Sequence, residues 1–151
     1  MREIATIADL AALAGQPIGD SEWLTVDQRM IDDFAQVTGD RQWIHVDVER
    51  ARREAPGGHT VAHGFLTLSL LPRLQQSIYR IVHRSRGVNY GLDRVRFVSP
   101  VAAGARIRLH LVLDRAEAVT GATRLFFTAT VEVEGHDRPA LVAQTIAQLF
   151  D

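Results

Sequence analysis

Asp40 and His45 are the two residues of this chain whose types and spacing best suit chemistry. They stand five apart in Val-Thr-Gly-Asp-Arg-Gln-Trp-Ile-His, just past an apolar-periodic run that Gly39 stops, as Gly often does at a helix C-terminus. A carboxylate placed there meets the negative end of the helix dipole, where it is disfavoured. Local structure therefore gives no reason for an acid, and residues that break local rules gather at functional sites. An acid and an imidazole held side by side can share the work of moving a proton to or from a water. The plainer reading of Asp40 is a turn residue whose carboxylate satisfies nearby backbone N–H groups.

Composition removes the competing chemistries. The chain has no cysteine, so disulfides, thiol nucleophiles and thiolate metal sites are excluded. It also has no lysine: all 17 basic residues are arginine, which excludes Schiff-base chemistry and the lysine of a phosphate-binding P-loop. Carboxylate, imidazole, hydroxyl and backbone remain. Acids and bases nearly balance at a formal net charge of -1 and no basic run is long, so no nucleic-acid partner is expected. No apolar stretch approaches a bilayer span, so no membrane partner is expected either. Met1 to Gly15 carries Glu3 and Asp9 and does not read as a secretory signal, which makes a cytoplasmic location the default. A length of 151 residues suits a single domain over 1–151.

The elements that must position the pair follow from periodicity. Ile4 to Ala14 reads as a short amphipathic helix, a helical extension within residues 1–20, and Glu22 to Val26 reads as a brief strand. A helix then starts with Asp27 alone, or Thr25 with Gln28, as its cap, and presents Met30, Ile31, Phe34 and Val37 as a buried stripe. Beyond the Asp40–His45 loop, Asp47 to Glu54 is a charged helical turn, and Pro56-Gly57-Gly58 breaks the chain. Phe65 to Val82 reads as a helix apolar almost all round in its first half, hence buried, with Pro72 as a kink or boundary. From Gly87 the period becomes two. Strands are expected over Val88 to Val98, from Arg106 through Asp114, around Leu125 to Val133, and over Leu141 to Phe150. One buried helix and one long antiparallel sheet with a wet outer face imply an α+β protein whose sheet curls round the helix.

Three motifs in this order resemble a known family. Asp40-x-x-x-x-His45, then His63-Gly64-Phe65 opening the buried helix, then Arg96-Phe97-x-x-Pro100-Val101-x-x-Gly104 are similar to the MaoC-like, or (R)-specific enoyl-CoA hydratase, family. The resemblance runs from about Ser21 to the C-terminus. It implies a hot-dog fold, an antiparallel sheet wrapped around a long central helix, and a homodimer joined edge to edge. It also implies an acyl-CoA or acyl-carrier-protein thioester as substrate, with neither metal nor organic cofactor. Asp40 and His45 match the family's catalytic pair, and the backbone amide of Gly64 matches its oxyanion donor. The physics is compatible, because a helix start offers unpaired N–H groups and Gly admits a close approach.

Other residues keep two readings. His63, Phe65, Trp43 and Asn89 are candidate substrate contacts. Equally, His63 is a loop residue with a satisfied ring, and Asn89 with Tyr90 simply begins a strand. His59 and His63 stand four apart, but the preceding Pro-Gly-Gly argues against the helix that would make them paired metal ligands, so no metal is expected. Arg73, Arg84, Arg94 and Arg96 either meet CoA phosphates or form a solvated surface. Rival functions are a hot-dog thioesterase and a non-catalytic acyl-binding or dehydratase subunit. The first would require an acid on the central helix, and none occurs from Gly64 to Leu92.

Overall fold

Apolar residues alternating along the C-terminal half build the largest layer of the protein, and the first half supplies what that layer wraps. The computed structural model describes residues 1–151. In chain order the first half holds β1 (Arg2–Thr6), α1 (Ile7–Ala11), β2 (Gln16–Asp20), β3 (Leu24–Val26), α2 (Gln28–Thr38), α3 (Trp43–Val46) and α4 (Val48–Glu54). There follow α5 (Gly64–Ser69), α6 (Leu71–Ile78), β4 (Tyr79–His83), β5 (Arg86–Phe97), β6 (Ala105–Val119), β7 (Ala122–Val133) and β8 (Leu141–Phe150). The main sheet runs β2-β6-β7-β8-β5, with β3 also beside β6, and every pairing in it is antiparallel. A second, two-stranded sheet pairs β1 with β4 in parallel.

Period two decides which side chains face inward. Ile107, Leu109, Leu111 and Leu113 of β6, and Leu125, Phe127, Ala129, Val131 and Val133 of β7, are buried. They join Leu66, Leu70, Leu71, Leu74 and Ile78 of α5 and α6 in one apolar cluster of 28 buried residues. Burial of this kind stabilises by roughly 25 cal/mol per Å² of apolar surface removed from water. A sheet curled over a central helical segment is the hot-dog arrangement. At the end of α6 the Tyr79 phenol is pushed up to about 12 by burial, against the smaller pull of its bond from Gln75 and of Arg84.

Three expectations need correction. The first twenty residues are not one helical extension: a short helix, capped by Thr6 and Asp9 in reciprocal bonds, lies between two strands. Pairing with a distant partner, β4 or β6, decides those strands, and no local pattern announces it. The central helix breaks at the boundary expected of Pro72: α5 ends at Ser69 and Pro72 sits in the first turn of α6, where a missing N–H costs little. Its C-terminal part is not helix at all, since Tyr79–His83 extends to pair with β1. The stripe on α2 is narrower than its periodicity suggests. Ile31 and Ala35 are buried, Met30 and Phe34 are half-buried, and Val37 is 80% exposed beside the Gly39 terminus.

On the outer face of the sheet, charge replaces apolar contact. Arg108 bonds Glu132 across the β6–β7 pair, and His110 bonds Glu132 through Nε2 (2.5 Å) and Asp20 through Nδ1 (2.7 Å). The Arg108 bonds, then that of His110, hold the Glu132 carboxyl below its usual 4.5. A carboxyl depressed by folding adds stability that is complete above its unfolded pKa and lost as the pH falls through the folded one. Glu132→Gln should therefore melt below wild type by a constant gap from mildly acidic to neutral pH. That gap should close on acidification beneath the usual carboxylate range, as followed by circular dichroism against temperature across a pH series.

Candidate active site

Asp40, His45 and His63 come together although 23 residues separate the first from the last. One side-chain oxygen of Asp40 and one ring nitrogen of each histidine all lie within 4.8 Å of one another. Two hydrogen bonds of about 2.8 Å meeting at a tetrahedral oxygen put their outer ends about 4.6 Å apart, so this spacing suits a group bridged by one water.

Each member is placed by a different device. Asp27 caps α2 by accepting from Met30 N at 2.9 Å, and Gly39 closes the helix at φ 78°, a left-handed conformation that favours Gly. The chain leaves that turn as Asp40. Its Oδ1 accepts only a long bond, 3.4 Å, from Gln42 N, so the turn role is present but weak; the side chain is 56% exposed. His45, by contrast, is buried on the one-turn helix α3. Its Nδ1 lies 2.6 Å from the Val61 carbonyl oxygen. A carbonyl only accepts, so Nδ1 carries the proton and Nε2 holds the free lone pair.

The segment ahead of α5 is strapped on both sides. Val61 N donates to Ile44 O, Ala62 N to Val101 O, and Ala103 N to Thr60 O, which joins the histidine loop to the turn after β5. Gln28 ties the arrangement together: its amide N–H donates to His45 O at 2.8 Å, and its oxygen accepts from the buried Thr60 hydroxyl. Sequence reasoning treats Gln28 only as a possible cap and passes over Thr60 and Val61. Nothing in their local pattern signals contacts 16 to 32 residues away.

His63 is the residue whose surroundings differ most from expectation. It is 3% exposed, stacks on the His45 ring at 3.8 Å and 25°, and meets Phe34 at 5.1 Å. Its Nε2 donates to the Asp40 carbonyl at 2.9 Å, but its Nδ1 is buried with no hydrogen-bond partner. The ring is therefore not fully satisfied. His59 does not join the cluster; its ring lies beside Gly57. Nor does the stack suit one ion shared by His45 and His63. Imidazole lone pairs lie in the ring planes, and planes this close to parallel do not converge at a metal–nitrogen distance of about 2.1 Å.

Gly64, next to His63, begins α5. The first helix amides that bond back are Leu66 and Thr67, both to His63 O, so the Gly64 and Phe65 amides belong to the open helix start. A cavity of about 180 Å³ lies against Gly64, Thr67, Phe97 and the Val98–Val101 turn. Asp40, His45 and His63 do not line it; Gly64 is where it approaches them. The Phe97 ring leans on Gly64 so closely that a Cβ there would lie 2.9 Å from it, and it meets Phe65 edge-on at 5.7 Å. Trp43 instead packs beneath Arg50, and Asn89 lies exposed on β5; neither is brought to the cavity.

Fold and site define a class first: a hot-dog protein carrying an acid–imidazole cluster at the start of its central helices. The chain belongs to the MaoC-like dehydratases, a family of thioester hydratases and dehydratases, since the MaoC like domain matches residues 9–135. It is 47% identical over 149 residues to 3-hydroxyacyl-thioester dehydratase Z of Mycobacterium tuberculosis strain H37Rv, covering 98% of each chain. It is 50% identical over 149 residues to nodulation protein N of Rhizobium leguminosarum bv. viciae, covering 97% of this chain and 91% of that one. The structure is similar to an (R)-hydratase from A. caviae involved in PHA biosynthesis, with a TM-score of 0.67 over 89% of this chain and 94% of that chain; at 18% identity, the likeness is one of fold.

The contact at Gly64 yields a prediction. Gly64→Ala should lose about 1–3 kcal/mol of stability through overpacking against Phe97. Adding Phe97→Ala should cost less than the sum of the two single changes, in urea unfolding of all four proteins.

Proposed function

We propose that this protein interconverts a trans-2-enoyl thioester and the (R)-3-hydroxyacyl thioester by adding or removing water. The observation that carries the proposal is the convergence of the Asp40 carboxylate with the His45 ring, within 4.8 Å, beside the helix that starts at Gly64. The name of the mycobacterial relative, a 3-hydroxyacyl-thioester dehydratase, supports the substrate class.

The hydrogen bonding of His45 supports a division of roles. Its Nδ1–H donates to Val61 O, which leaves Nε2 to accept a hydrogen bond from the water. The Asp40 carboxylate accepts the other. As the water oxygen bonds to C3 of the enoyl group, its proton passes to Asp40 and from there to C2 on the same face. The C2–C3 double bond becomes single, and no outside acid is needed. Negative charge that gathers on the thioester oxygen meanwhile is met by the Gly64 amide at the positive end of α5. Dehydration is the same path reversed. The thioesterase alternative lacks its acid in the structure too, since no residue of α5 or α6 carries a carboxylate.

The second part of the proposal is a homodimer. Strand β5 pairs only with β8, so its other edge is free over twelve residues, and Val88, Tyr90 and Leu92 on it are exposed. A long apolar edge of this kind is a template for another strand. A second copy pairing there would cover it.

Two outcomes test this reading. Asp40→Asn and His45→Gln should each slow loss of the enoyl-thioester absorbance by about 100- to 10,000-fold without releasing free thiol. Full activity in either variant removes the pair from the chemistry, and thiol release without loss of conjugation makes the enzyme a hydrolase. Native mass spectrometry should give twice the 16.8 kDa chain mass, and Tyr90→Asp with Leu92→Asp should return it to one.

A further inference from the structure

His63 is buried, titratable and unused in the steps above, yet it touches every group that takes part in them. Its Nε2–H donates to the Asp40 backbone carbonyl at 2.9 Å, its face lies on the His45 ring at 3.8 Å, and its own peptide leads into Gly64. A purely space-filling residue would not need to be a histidine here. Packing between Phe34 and His45 would be served by a phenyl ring, which carries no buried nitrogen without a partner. An unsatisfied buried polar atom is costly, so its presence calls for a compensating role.

That role follows from what holds Asp40. Its carboxylate accepts only the 3.4 Å bond from Gln42 N, with His63 Nε2 4.0 Å from its other oxygen, and its amide makes only a 3.4 Å contact to the Thr38 hydroxyl. The bond from His63 to its carbonyl is the short one, and it anchors the peptide from which the carboxylate projects. We propose that His63 is the positioning residue of the site: its Nε2–H holds the backbone of Asp40 while its ring face holds the imidazole of His45. The carboxylate and the imidazole are thereby kept one water apart, at a fixed place relative to the Gly64 amide. This inference rests on the proposed hydration by Asp40 and His45.

The experiment compares wild type, His63→Phe, His63→Gln, Asp40→Asn and the His63→Phe/Asp40→Asn double variant with trans-2-butenoyl-CoA. His63→Phe keeps the stack and loses the donor; His63→Gln retains a donor and loses the ring. Each should lower kcat by about 10- to 100-fold, the scale expected when a reacting group is displaced by about an ångström, while KM stays near wild type. The double variant should be no slower than Asp40→Asn, because His63 acts through Asp40. Wild-type kcat in both His63 variants beside a disabled Asp40→Asn overturns this inference and leaves the hydration reading standing. Full activity of Asp40→Asn, or an inactive wild type, removes that reading and this one with it. A measurement on the wild type alone covers variants that do not fold. Long-range nitrogen–proton NMR should show a proton on Nε2 of His63 and on Nδ1 of His45. A His63 ring whose Nε2 carries no proton refutes the proposal.

Discussion

The hydrogen bond from His45 Nδ1 to the carbonyl of Val61 is the constraint around which the site is arranged. A buried imidazole must place its N–H somewhere, and here the acceptor belongs to a segment that is itself held by Ile44, Val101 and Ala103. One bond thus settles the tautomer of His45 and the height of the segment that continues into His63 and Gly64. The helix start cannot move along its axis without breaking that bond or the straps beside it. Rigidity of this kind is what the proposed water-bridged pair needs, since a water itself contributes none.

The sheet supplies the remaining support at a distance. Apolar residues on the inner faces of β6, β7 and β8 press against α5 and α6, and the turn from Val98 to Val101 hangs from β5 beside Gly64. The half of the site near Gly64 is therefore anchored by packing, while the half near Asp40 is anchored by a few polar bonds at the end of α2. Asp40 sits on the wetter of the two. Phe97 lines the cavity and Phe65 meets its ring edge-on, large aromatic rings left 47% and 67% exposed.

Some of this is legible before any coordinates. Strands β6, up to Leu113, and β7 alternate cleanly because one face of each packs inward, and β8 spans Leu141–Phe150 as expected. Helix α2 is marked at both ends by Asp27 and Gly39. The segment Tyr79–His83 is not legible, because it continues a helical apolar pattern and becomes a strand only through pairing with β1. The same reason hides β1 and β2. Val37 fits the stripe of α2 by spacing, yet lies where the helix has already passed beyond the core.

By itself, then, the amino-acid sequence determined the chemistry on offer. With no cysteine or lysine it left carboxylate, imidazole, hydroxyl and backbone, and it placed Asp40 at an unfavourable helix end near His45. Only the tertiary structure decided that His63, expected to be a bystander or a pocket wall, stacks on one member of the pair and bonds the other. The physical reason is range. Helix caps and strand alternation are written in neighbouring residues, whereas the partners of Gln28, His45 and His63 lie 16 to 32 positions away and meet only when the sheet closes over the helices.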